Sequence, residues 1–175
     1  MKDIQRKTNT QMLIKFLKNH LLNLTIVFLI FLTDRISKFY VLQLADQMDT
    51  IDIYLTKYLN IYLIWNKGIA FGLMSFNSNI IYNFITFLII TISIAVFIMV
   101  IRHDGFKKYS LTMVLGGALG NLFDRVYYGA VPDFIDIHFK SFHWFIFNIA
   151  DIFITLGVFC LIWIELFNKN RENEK

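Results

Sequence analysis

The residues through which this chain could do chemistry are polar side chains set inside, or hard against, apolar runs. Asn121, Asp124 and Arg125 stand at i, i+3 and i+4, which places them on one face of a helix, and Asn148 and Asp151 repeat the i, i+3 spacing. Asp133 lies shortly before that second pair, and Asp34 closes the first apolar run. An ionised side chain in mid-bilayer costs about 2.5–3.5 kcal/mol on the insertion scale, so such residues signal either function or pairing. With only Arg125, Arg35 and Lys38 close to these acids in sequence, at least one carboxyl is hard to ionise. Two carboxyls that share a site and a proton form an acid–base pair: one activates water, the other protonates a peptide carbonyl oxygen.

Hydropathy supplies the elements that must position these groups. Apolar runs predict four transmembrane helices, at about 12–33, 80–101, 110–127 and 145–167, joined by extracytoplasmic segments 34–79 and 128–144. The whole chain, 1–175, reads as a single membrane domain. Basic residues crowd the N-terminal tail (Lys2, Arg6, Lys7, Lys15, Lys18), the central loop (Arg102, Lys107, Lys108) and the C-terminus (Lys169, Arg171, Lys175), which assigns all three to the cytoplasm. The third helix then runs outward and the fourth inward. Asp34, Asp124, Asp133 and Asp151, with Asn121, Asn148 and Arg125, converge at one level near the outer boundary.

Between the spans the periodicity changes. Ile53, Leu55, Leu59, Ile61 and Leu63 alternate with Tyr54, Thr56, Tyr58, Asn60 and Tyr62, a period of two that predicts extended chain in a small surface sheet. Residues 127–142 alternate again and predict a second extended piece. The first run, Leu21 to Thr33, is followed at once by Asp34, Arg35 and Lys38 with no small-residue cleavage pattern, and reads as an uncleaved helix.

Composition narrows the function classes. Of 175 residues 57% are hydrophobic and 17% charged, too little polar surface for a water-soluble globule. The net charge of +4 is spread over three segments that each abut an apolar run, and so excludes a nucleic-acid footprint. The lone cysteine, Cys160, reads as a buried, inert thiol, and the four histidines show no metal-ligand spacing. Carboxylates are left to carry any catalysis.

Plainer readings stand beside these. Asn66, Asn121 and Asn148 taken singly read as hydrogen bonds between helices, and Gly116 with Gly120 reads as tight helix packing. Arg125 reads first as the neutralising partner of a nearby carboxylate. A transporter would also need intramembrane acids, but in repeated halves that this chain lacks. A lipid hydrolase could use the acids to hold a hard cation, a reading that a chelator separates from the peptidase. From the residues alone, either Asp124 or Asp133 could partner Asp151.

The order of motifs resembles lipoprotein signal peptidase, or signal peptidase II, over almost the whole chain: DRISK at 34–38, NKGIAFG at 66–72, GGALGNLFDR at 116–125, VPDF at 131–134 and FNIAD at 147–151. The resemblance implies a mainly α membrane protein of four helices, with an extracytoplasmic sheet and a short surface helix. It places the catalytic pair on Asp133 and Asp151, and supporting roles on Asp34, Lys38, Asn66, Asn121, Asp124, Arg125 and Asn148. Arg35 stands where the family carries Gln, and Ile69 where a small residue is common. The implied substrate is the signal peptide of a prolipoprotein, cut just before a cysteine bearing diacylglycerol, in the bacterial cytoplasmic membrane. The implied enzyme works as a monomer among membrane lipids, with no metal and no other cofactor, and globomycin-type cyclic peptides inhibit it.

Overall fold

The computed structural model describes residues 2–48, 50–68, 79–139 and 142–173, with the side chains of these residues from 20 to 167 apart from those of 79, 143 and 144. In chain order the elements are α1 (Lys2–Ala45), β1 (Asp52–Thr56), β2 (Leu59–Asn66), α2 (Asn79–Arg102), α3 (Gly105–Tyr128), β3 (Val131–Phe139), β4 (Phe142–Phe147) and α4 (Ile149–Asn173). The protein is mainly helical with one small antiparallel sheet. Among the described residues two helices, over Ile80–Arg102 and Ile149–Phe167, are long and apolar enough to cross a membrane.

The helices run longer than expected, with α1 starting at Lys2 rather than about 12, α3 at Gly105 rather than about 110 and α4 ending at Asn173 rather than about 167. Two further bounds, next to the site, differ for a local reason. Asp34 does not end the first helix, which runs on to Ala45. Nothing from Arg35 to Ala45 is Gly or Pro, and the charges at 34, 35 and 38 are paired inside the protein, so the helix has no cause to stop. The fourth helix starts at Ile149 rather than near Phe145, because 142–147 pair with β3 as a strand. Asn148 is therefore a cap and not a helical neighbour of Asp151. α2 falls close to the predicted span, and α3 ends where Gly129 adopts the left-handed conformation (φ 71°).

Both alternating stretches are strands. Residues 52–66 form the β1–β2 hairpin, and the second extended piece is β3. The sheet order is β1-β2-β3-β4, every neighbour antiparallel. β2 and β3 pair directly, Asn66 opposite Val131 and Ile64 opposite Asp133, so the α2–α3 hairpin leaves the sheet and returns to it. Val41 of α1, Ile51 and Phe134 of β3 form one buried cluster against which Ile149 of α4 packs, which ties the sheet to one end of the helices. The implied surface helix does not occur among the described residues.

α3 packs against α1, α2 and α4. Its glycines make this possible, as the GxxxG reading expects: a Cβ at Gly116 would come within 2.9 Å of Ile30 Cβ, and one at Gly120 within 2.7 Å of Asp34 Oδ2. Polar groups share the interior with the apolar clusters, and many large apolar side chains are exposed. Asn23, Lys38, Thr112, Asp124 and Asp151 are buried, while Leu21, Phe28, Phe84, Phe159 and Ile162 are exposed, the reverse of a water-soluble protein. Cys160 is half-buried rather than buried.

Candidate active site

Four elements deliver the polar residues to one place: α1, the β2–β3 pair, the C-terminal turns of α3 and the N-terminus of α4. Asp34, Asp124, Asp133 and Asn148 show no solvent exposure, and Lys38, Asn66, Arg125 and Asp151 are also buried. Groups this deep need partners, and the partners divide the four carboxyls into two pairs.

Asp34 and Asp124 take the cations. Lys38 Nζ donates to Asp34 Oδ2 at 2.9 Å and to Asp124 Oδ2 at 2.6 Å. Arg35 Nη1 donates to Asp124 Oδ1 at 2.5 Å, and its Nη2 to Asp124 Oδ2 at 2.8 Å and Asp34 Oδ2 at 2.7 Å. Asp124 thus has both oxygens engaged by cationic side chains.

Asp133 and Asp151 are held by neutral donors instead. Asp133 Oδ2 accepts from Asn66 Nδ2 at 2.8 Å and its Oδ1 from Asn148 Nδ2 at 2.6 Å. Asp151 Oδ1 accepts from Asn121 Nδ2 at 2.8 Å, and its Oδ2 from the Asn148 backbone N–H at 3.2 Å. Asn148 Oδ1 in turn accepts the Asp151 backbone N–H at 3.1 Å. Asn148 and Asp151 therefore form a reciprocal cap at the start of α4, in the manner of a capping box. One residue touches both carboxyls, and so sets where Asp133 of the sheet meets Asp151 of the helix.

Burial first, and then the Asp151 charge, push the Asp133 carboxyl up to about 7. The bonds from Asn66 and Asn148 and the Lys38 charge act against the rise without cancelling it. A carboxyl in that range carries or releases a proton near neutral pH.

Arg125 pairs with no carboxylate among the described residues, contrary to expectation. Its Nη2 donates to the Gly68 carbonyl oxygen, its guanidinium lies 5.7 Å from the Tyr82 ring, and the Tyr82 hydroxyl donates to the Arg125 carbonyl oxygen at 2.8 Å. Asn66 Oδ1 accepts the Gly68 N–H at 2.8 Å, so Arg125 and Asn66 together fix the start of the segment after β2. Residues 69–72 of the second motif, with Ile69 and Gly72, lie outside the described residues.

Arg35 is the site residue that sequence reasoning did not assign. The i, i+4 spacing of Asp34 and Lys38 was visible, whereas the reach of Arg35 to Asp124 spans 89 positions and needed the α1–α3 packing. Among the described residues no three His, Cys, Asp or Glu side chains are grouped to hold a metal ion.

Comparisons with known proteins identify the family. The family model described as signal peptidase (SPase) II matches residues 26–167, a stretch that contains every residue of the cluster. A lipoprotein signal peptidase of Pelagibacter ubique (strain HTCC1062) is 55% identical over 160 residues, covering 91% of this chain and 96% of the relative. One from Aquifex aeolicus (strain VF5) is 38% identical over 152 residues, covering 85% and 87%. A bacterial membrane enzyme solved at 2.3 Å by the in meso method superposes with a TM-score of 0.74 at 30% identity, over 87% of this chain and 92% of that one. With the family model spanning most of the chain, and relatives this similar over nearly their whole length, this protein belongs to the signal peptidase II family.

Proposed function

We propose that the chain is an intramembrane aspartyl endopeptidase that removes the signal peptide from bacterial prolipoproteins, cutting just before the diacylglyceryl-modified cysteine. The observation that carries this reading is the contrast in partners. Among the described residues Asp133 and Asp151 are bridged by Asn148 and bonded only to amide donors, while Lys38 and Arg35 bond to Asp34 and Asp124. Such a pair holds one proton between two carboxyls. The ionised partner takes a proton from a water molecule as that water attacks the scissile carbonyl carbon, and the protonated partner gives its proton to the carbonyl oxygen. Collapse of the tetrahedral adduct expels the amine of the cysteine with a returned proton, and the pair regains its starting state.

The same reading counts four spans. The two spans found by hydropathy among the described residues do not include α1 and α3, which carry Asp34, Arg35, Lys38, Asp124 and Arg125. These charges lie inside, and the first four are paired with one another, so lipid does not meet them. The basic segments favour a topology with both termini in the cytoplasm of a bacterial cell and the reacting pair near the outer face of its membrane. There the acyl chains of the substrate remain in lipid while the peptide bond reaches the carboxyls. Globomycin-type peptides are expected to compete for this site.

The test is cleavage of a lipid-modified prolipoprotein by the purified protein. Asp133→Asn and Asp151→Asn keep the shape but cannot move a proton, so each is expected to lose about 10²–10⁴-fold or more in kcat. Asp124→Asn is the control for the choice of partner. Substantial turnover by folded Asp133→Asn or Asp151→Asn excludes that residue from catalysis. Loss of activity on adding a chelator would favour the metal-dependent hydrolase.

A further inference from the structure

Asp34 and Asp124 are both buried without solvent exposure, and Lys38, itself 1% exposed, could neutralise only one of them. Arg35 supplies the second positive charge. Its guanidinium lies 5.7 Å from the Phe31 ring centroid and 4.8 Å from that of Phe123, and donates to both acids and, at 3.3 Å, to the Gly120 carbonyl oxygen. Two acids and two bases then sum to zero.

Two links run from this neutral quartet to the reacting pair. Lys38 Nζ donates to Asn121 Oδ1 at 3.1 Å, which turns the Asn121 Nδ2 toward Asp151 Oδ1. Asp34 Oδ1 accepts the backbone N–H of Ala150 at 3.0 Å, at the residue before Asp151. We propose that Arg35 is a positioning residue of the reaction: by completing the charge balance it leaves Lys38 free to orient Asn121, and it keeps uncompensated negative charge away from the two reacting carboxyls. This rests on the reading of Asp133 and Asp151 as the reacting pair.

The charged and polar groups around that pair and the adjoining quartet can be named element by element. α1 contributes Asp34, Arg35 and Lys38, and α3 contributes Asp124 and Arg125, with Tyr82 of α2 behind Arg125. β2 contributes the amide of Asn66, and the α4 cap that of Asn148. Loss of the Arg35 charge alone leaves the quartet with a net negative charge, which disfavours a further carboxylate beside it.

The experiment is the pH profile of kcat/KM on a lipid-modified prolipoprotein for the parent, Arg35→Gln, Arg35→Lys and the charge-balanced double variant Asp34→Asn/Arg35→Gln. Arg35→Gln is expected to move the acid limb upward by about half a pH unit or more, and to lower kcat more than it raises KM. Arg35→Lys and the double variant are expected to return the limb to the parent position. An Arg35→Gln enzyme with the parent profile overturns the proposal, as does a double variant as displaced as the single one. If Arg35→Gln does not fold, the lysine variant decides, since a displaced profile with the charge retained also overturns the role. Asp133→Asn and Asp151→Asn, run alongside, separate the two readings: activity there removes the reacting pair itself, whereas an unmoved Arg35→Gln profile with both of them inactive removes only Arg35.

Discussion

Two pairs of aspartates lie side by side in this protein, all four buried, and they are treated in opposite ways. Asp34 and Asp124 are surrounded by Lys38 and Arg35 at 2.5–2.9 Å. Among the described residues Asp133 and Asp151 receive four N–H donors from Asn66, Asn121 and Asn148 and no hydrogen bond from a cation. Residue type and burial are the same, so the partners make the difference. A fixed cation holds a carboxylate ionised, which suits a structural strut between α1 and α3. An amide supports a carboxyl without dictating its charge, which suits a group that must gain and lose a proton. Asn121 connects the two regions, with its oxygen toward Lys38 and its nitrogen toward Asp151.

The contrast breaks most severely at Lys38. Lys38→Met leaves Asp34 and Asp124 with only Arg35 between them, and removal of one partner from a buried ion cluster costs about 3–5 kcal/mol. A large fall in Tm in detergent is the expected outcome, and an unchanged Tm would show that the quartet is not a strut.

Asp133→Asn should act in the other direction. The folded protein keeps the Asp133 proton up to about pH 7, whereas an unfolded chain releases it near 3.8. Between those values the native state binds more protons, so this group's contribution is complete below 3.8 and is lost as the pH rises through 7. The loss is on the order of a few kcal/mol. Unfolding measured from pH 4 to 8 should show a downward slope in the parent that is weaker in Asp133→Asn, with the variant the more stable of the two at pH 8.

The smallest effect sharpens the comparison at its junction. Asn121→Ala removes one of the two donors to Asp151 and one acceptor from Lys38, and is expected to cost about tenfold in kcat/KM while stability changes by about 1 kcal/mol. A stability loss as large as that of Lys38→Met would mean that Asn121 belongs to the strut rather than to the site.

The sequence by itself determined the apolar spans, the alternating strands and the set of residues to be gathered, because hydrophobic period and i, i+4 spacing are local properties of the chain. It also carried the ordered motifs, from DRISK to FNIAD, that mark the family. Which acid met which partner was decided only by the tertiary structure. Asp124 and Asp133 were equally able to reach Asp151 until α1 packed on α3 and brought Arg35 and Lys38, 89 and 86 positions away, onto Asp124. The pairing of 142–147 with β3 likewise turned Asn148 from a helical neighbour of Asp151 into its cap, and so into the bridge to Asp133. A carboxyl's charge depends on what lies within a few ångströms of it, and for these four acids those neighbours come mostly from distant parts of the chain.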